Sequence, residues 1–304
     1  MRQLVVVALV ACSSDPSMMS VDDPVTIAFT APAAGANLPR DHVSAATGAL
    51  VATLPVELAI EGSPARVALF VDGLAQPDLA VAEIATDAAT LNAVAYDADD
   101  AELASATVEV GSTDATPSDC HAALDMYGVE YTLGPANMGV ADPITAKVPL
   151  NGLAWRYIDS DTQRTKQYAD CKLILSLAKA TPFFRTRGIT EVADYGIYNY
   201  RCIGGGDPPC TMGISQHASA TAIDLAAFAT ATDTYTVKTD WVIDPDDEET
   251  CEAATEPGKD QFLHELICAL KAAHVWNIVL TPNYNADHRD HFHVDLTPGA
   301  NFME

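Results

Sequence analysis

Between residues 25 and 110 the hydrophobic positions fall in short β-rich runs: VTIAFT (25–30), VELAIE (56–61), VALFVD (67–72), LNAVAYD (91–97) and ASATVEV (104–110). Val67, Leu69 and Val71 alternate with Ala68, Phe70 and Asp72, the period-two pattern of a strand. Asp72-Gly73 then supplies the positive-φ pair of a tight hairpin. Short strands separated by Pro, Gly and Asp turns predict an all-β sandwich of about seven strands. Farther along, the spacing changes. Leu173, Ile174 and Leu177 predict a helix over 163–179, and Phe262, Leu263, Leu266, Ile267 and Leu270 form the stripe of an amphipathic helix over 260–274. Apolar runs around 195–203, 222–228, 276–281 and 291–296 predict an antiparallel sheet against those helices, an α+β fold.

Between these parts lies GSTDATPS (111–118), turn and linker residues without periodicity, which places the domain cut there. Charge agrees. Residues 1–118 carry three bases (Arg2, Arg40, Arg66) and sixteen acids, whereas 119–304 carry thirteen bases and twenty-six acids. The expected organisation is a signal over 1–12, a polar tether over 13–23, a sandwich over 24–111, a linker over 112–118 and an α+β domain over 119–304. The whole chain of 304 residues carries a formal charge of −26, with a pI near 4.3, which excludes nucleic acid as a partner by repulsion of phosphate. No apolar run approaches the ~20 residues of a membrane-spanning helix.

Residues 1–12, MRQLVVVALVAC, combine a basic start, an apolar stretch and small residues, the make-up of an export signal. Cys12 at its end resembles the lipobox cysteine of bacterial lipoproteins, which implies lipidation, an outer-membrane or envelope anchor, and membrane contact through that lipid alone. The six remaining cysteines, Cys120, Cys171, Cys202, Cys210, Cys251 and Cys268, then read as three disulfides with fifteen possible pairings.

The chemistry concentrates in two stretches, 213–228 and 283–296. On a strand, residues two apart share a face, so His291 and His293 can aim at one point with Asp295 next in line. His217 precedes Asp224 by the spacing His-x6-Asp, with Asp224 in a strand. Two imidazoles and one carboxylate leave a fourth zinc position open, the pattern of a catalytic site. His42, His121, His264 and His274 stand apart from these stretches and read as surface or core residues.

Ser215-x-His217-x2-Ala220-x-Ala222-x-Asp224 resembles the SxHxxGxAxD signature of D-Ala-D-Ala carboxypeptidases, and His291-x-His293 the HxH element of lysostaphin- and hedgehog-type metallopeptidases. Tyr200-Arg201-Cys202, Gln167-x3-Cys171 and Asn283-x-Asn285-x2-His288-x-Asp290-His291-Phe292-His293-x-Asp295 most resemble the extensin-like C-terminal family over roughly 119–304. The resemblance implies Zn2+ on His217, Asp224 and His293, with either His291 or Asp290 as general base; strand parity favours His291. It also implies that Arg201 and Ser215 meet the substrate. Ala220 stands where the pattern has glycine, so a positive-φ turn there would be strained. Family likeness implies Cys120–Cys171 and Cys202–Cys268, leaving Cys210 with Cys251. VALFVDG followed by LNAVAYDAD resembles bacterial immunoglobulin-like modules, which implies a spacer or docking role. The expected function is a zinc metallopeptidase cutting peptidoglycan stem peptides, as carboxypeptidase or endopeptidase; the alternative is a zinc-containing wall-binding module without catalysis.

Overall fold

The computed structural model describes residues 24–243, 249–253 and 255–304. The signal over 1–12 with Cys12, and the tether over 13–23, lie outside these residues. The chain divides into two compact units. One takes residues through Ala36, Leu54–Ala82 and Ala88–Gly111; the other takes Asn37–Thr53, Glu83–Asp87 and Ser112–Glu304.

The first unit is built of sandwich-like sheets. Strand Thr26–Ala31 pairs antiparallel with Glu57–Glu61, and Ala88–Tyr96 lies between Glu102–Asp114 and Arg66–Val71. The hairpin forms as its residues dictate. Asp72 and Gly73 have φ of 48° and 80° and join Arg66–Val71 to Leu74–Ala75. Leu69, Leu91 and Ala93 fill the interior.

Two expectations change here. The long strand runs on to Asp114, so the segment read as a linker is strand for its first three residues. Residues 37–53 and 83–87 also belong with the second unit. Arg40 explains this. Its buried guanidinium bonds Asp114 at 2.8 Å, Asp87 at 2.8 Å and Ser112 at 2.9 Å, and a charge so buried needs that set of partners.

In the second unit a seven-stranded sheet runs in the order Ala154–Tyr157, Glu191–Asp194, Ala222–Ala229, Phe292–Asp295, Ile278–Leu280, Phe302–Met303, with Thr234–Thr236 also on Ala222–Ala229. The sheet is mixed, not purely antiparallel: Ala154–Tyr157 runs parallel to Glu191–Asp194, and Ile278–Leu280 to Phe302–Met303. Helices Cys171–Arg185 and Lys259–Ala272 share its core through Leu173, Ile174, Leu177, Leu263, Leu266, Ile267 and Leu270, all fully buried. Each such side chain contributes ~1.5–3 kcal/mol.

The first helix starts later than its spacing predicts, because Lys166–Asp170 is a strand and the Asp170 side chain caps Lys172 N at 3.1 Å. Residues 195–203 form no strand beyond a bridge from Cys202 to Ile214.

Three disulfides staple this unit: Cys120–Cys171, Cys202–Cys210 and Cys251–Cys268. The first is the expected pair. The expected Cys202–Cys268 and Cys210–Cys251 are not formed. Gly204, Gly205 and Gly206, all at positive φ, turn the chain back on itself and bring Cys210 to a Cα distance of 5.3 Å from Cys202. His264 Nδ1 meets Thr250 O at 3.2 Å, which lays that segment on the last helix; one helical turn beyond His264, Cys268 meets Cys251.

Candidate metal centre

The site is assembled by strand register. Asp224 and His293 are direct cross-strand partners, flanked by the pairs Ile223↔Val294 and Leu225↔Phe292. The flanking four side chains are fully buried, so alternation turns Asp224 and His293 to the opposite face. That is why apolar residues interleave the chemical ones.

His217 arrives from the turn before the strand. Gln216–Ser219 forms one 3₁₀ turn, and Ala220 reverses the chain at φ 53°, ψ 33°, so the strand can begin at Ala222. The His-x6-Asp spacing is the length of that turn, the left-handed reversal and the strand start. Ala220 therefore occupies the strained conformation its position implied.

Three donor atoms converge. His217 Nε2 lies 3.2 Å from Asp224 Oδ1 and 3.2 Å from His293 Nδ1, and His293 Nδ1 lies 2.9 Å from Asp224 Oδ1. These residues form a set able to hold a metal ion. A tetrahedral zinc with bonds of 2.0–2.1 Å needs donors about 3.3 Å apart, close to this triangle. Both imidazoles are held from behind. His217 Nδ1 donates to Ile197 O at 2.7 Å, and His293 Nε2 donates to Asp295 Oδ2 at 3.1 Å. A carbonyl or ionised carboxylate only accepts, so in the neutral ring the proton sits on the rear nitrogen and the lone pair faces the centre. The residues present fit a zinc ion.

His291, just ahead of the strand, points its Nε2 to within 3.4 Å of Asp224 Oδ1. Its Nδ1 bonds Asp290 Oδ1 at 2.8 Å, and Tyr195 OH donates to Asp290 Oδ2 at 3.1 Å. Asp290 thus stands behind His291 instead of beside the donor triangle. His288, the further histidine of the stretch, hydrogen-bonds Asn285 Oδ1 at 2.7 Å through Nδ1 and packs edge-on against His293.

The electrostatics follow from these contacts. Burial alone would raise Asp224, but hydrogen bonds from His217 and His293 outweigh it and hold the carboxyl well below the usual range. Burial would lower His293, yet its bonds to Asp224 and Asp295 raise it to about 9. Burial and the neighbouring His291 and His293 push His288 down to about 4. Tyr195 is pushed up to about 12 by burial and by Asp290.

Other expected residues fall as follows. Ser215 is the N-cap of the 3₁₀ turn, its hydroxyl accepting from His217 N at 3.3 Å, so it shapes the turn that carries His217. Arg201 receives Ser215 N on its carbonyl, and its guanidinium makes no hydrogen bond or ion pair among the described residues. His121 is taken by Asp142 and Tyr131, and His264 stacks on Trp241. Sequence reasoning missed Tyr195, which carries no spacing signal, and left His288 without a role.

The model of the extensin-like protein C-terminus family matches residues 118–302, and the chain belongs to that family. Curated proteins yield no match. Among solved structures, one from Clostridium thermocellum, described as CbhA fibronectin(III)-like modules, is 19% identical, covering 30% of this chain and 99% of that one. Its TM-score of 0.20 is too low to bear on fold or function.

Proposed function

We propose that the second unit is a zinc-dependent peptidase acting on peptidoglycan stem peptides. The observation that carries this reading is the triangle of His217 Nε2, Asp224 Oδ1 and His293 Nδ1, with both imidazoles oriented from behind. Those three residues would hold the ion. Bound there, zinc would supply Lewis acidity, polarising a substrate carbonyl and acidifying water.

The chain's own residues divide the remaining work. His291 accepts a proton at Nε2 and returns it to the leaving amine, because its Nδ1 is bonded to Asp290. Asp290 is the positioning residue: it fixes the His291 tautomer and is itself fixed by Tyr195 OH. Arg201, its guanidinium unpaired among the described residues, is available for a carboxylate of the peptide. Stem peptides as substrate come from the D-Ala-D-Ala peptidase signature, and carboxypeptidase and endopeptidase cuts are both open to this centre. Export with lipidation at Cys12 would place the unit at the wall, with the N-terminal sheets as a spacer.

The test is digestion of muropeptides by the zinc-loaded full chain, read by mass spectrometry. Loss of D-alanine or a cut stem, abolished by chelator and by His291→Gln, is the expected result. No cleavage with zinc fully bound overturns the enzyme and supports a wall-binding module instead.

A further inference from the structure

Beside the metal centre the second unit opens a groove of about 290 Å³ that none of the expected site residues explains. Its walls include Tyr157, Arg164, Lys166, Gln167, Tyr195 and Ile197. Two of these tie it to the centre: Tyr195 holds Asp290, and the Ile197 carbonyl holds His217. The groove thus shares two wall residues with the contacts that hold Asp290 and His217.

Its chemistry is unusual for this chain. The protein carries −26 overall, yet among the described residues no carboxylate lines the groove. Lys166 is exposed and without an ion pair among the described residues. Arg164, stacked over Tyr157 at 4.4 Å, pairs with the fully buried Asp194, and its buried Nε has no hydrogen-bond partner among the described residues. Gln167 is 4% exposed, and neither its amide nitrogen nor its amide oxygen has a partner among the described residues. A buried amide left wholly unpaired calls for a ligand or water. Asp194 balances the Arg164 charge, so Lys166 supplies the net positive charge of the groove, and in a strongly acidic protein such a charge offsets locally the repulsion of an acidic group.

We propose that this groove is a subsite for a carboxylate-bearing residue of the peptide substrate, with Lys166 and the Arg164 Nε–H facing the carboxylate and Gln167 pairing with peptide backbone. This rests on the peptidase reading, and it assigns that peptidase a preference for acidic peptides.

The test is calorimetric titration of the full chain with two acetylated, amidated peptides that differ only by glutamate against glutamine. The expected result is about tenfold tighter binding of the acidic peptide, weakening as salt rises. Lys166→Gln, a surface change, should remove most of that preference. Gln167→Leu, similar in volume, should melt no lower than wild type and bind both peptides more weakly. Equal affinity for the two peptides, a preference that survives Lys166→Gln, or no binding of either overturns the proposal. Binding is read without cleavage, so a peptide that is held selectively but never cut would fail the peptidase reading and leave the subsite standing.

Discussion

Asp295→Asn isolates what the second ring of contacts does for the metal. Asp295 is 4% exposed; one oxygen accepts from Thr297 N at 2.8 Å and the other from His293 Nε2 at 3.1 Å. In the variant the amide oxygen keeps Thr297, and the amide nitrogen then donates to His293. Nε2 must accept, so the imidazole proton moves to Nδ1, the nitrogen aimed at Asp224. The reversed amide would keep the tautomer but turn its NH2 on Thr297 N–H, losing a buried bond and costing ~1–3 kcal/mol. Either way zinc affinity should fall about 10–100-fold, or ~1.4–2.8 kcal/mol. Proton competition works against this effect. Asp295 helps hold His293 at about 9, so the variant releases its proton more easily. The comparison is therefore made near pH 9, by competition with a chromophoric zinc chelator, and metal-free melting curves check that the fold is retained. Unchanged or tighter zinc binding at that pH would refute the tautomer reasoning.

Ala220→Gly should be nearly neutral. Relief of the left-handed strain, ~1–2 kcal/mol, is offset by a lost buried methyl, ~0.8 kcal/mol, and by glycine's unfolded-state entropy, ~0.5–1 kcal/mol; a melting shift beyond about 4 °C would contradict that balance. The metal-free protein should lose stability as pH rises from about 6.5 to about 9. His293 is raised in the fold, so its contribution is complete below the unfolded value and lost through the folded one. Melting in chelator across that range checks this, with a shallower fall expected for His293→Gln. Removing Cys120–Cys171, which spans 51 residues, should cost ~4 kcal/mol against ~2.5 kcal/mol for Cys202–Cys210, which spans 8. Denaturant unfolding of the paired Cys→Ser variants gives that order, and equal costs would count against it.

Much of the candidate site was legible because strand chemistry is periodic. The alternation of Phe292, Val294 and Leu296 with His291, His293 and Asp295 announced a strand with a chemical face, and His-x6-Asp spans one turn and a strand start. The roles of Asp290 and Ser215 depend on local geometry that period alone does not carry: one sits before the strand begins, the other at a cap. Lys166–Asp170 falls within the predicted helix because its sequence, KQYAD, lacks the apolar alternation that marks a strand, and only the cap at Asp170 divides it from the stripe of Leu173, Ile174 and Leu177. Of the pairings that likeness implies, Cys120–Cys171 forms and the other two do not; three consecutive glycines between Cys202 and Cys210 are the signal of the local reversal. Arg40 shows a further limit, because its partners lie 47 to 74 residues away and no spacing rule connects them.

The most direct test of the account is anomalous diffraction at the zinc absorption edge from crystals of the zinc-loaded protein. The account predicts one peak, bonded to His217 through Nε2, His293 through Nδ1 and Asp224 through a carboxylate oxygen, with His291 close by but not a ligand. No peak at this site, or a zinc bound by His288 and His291 with His293 turned away, would contradict it.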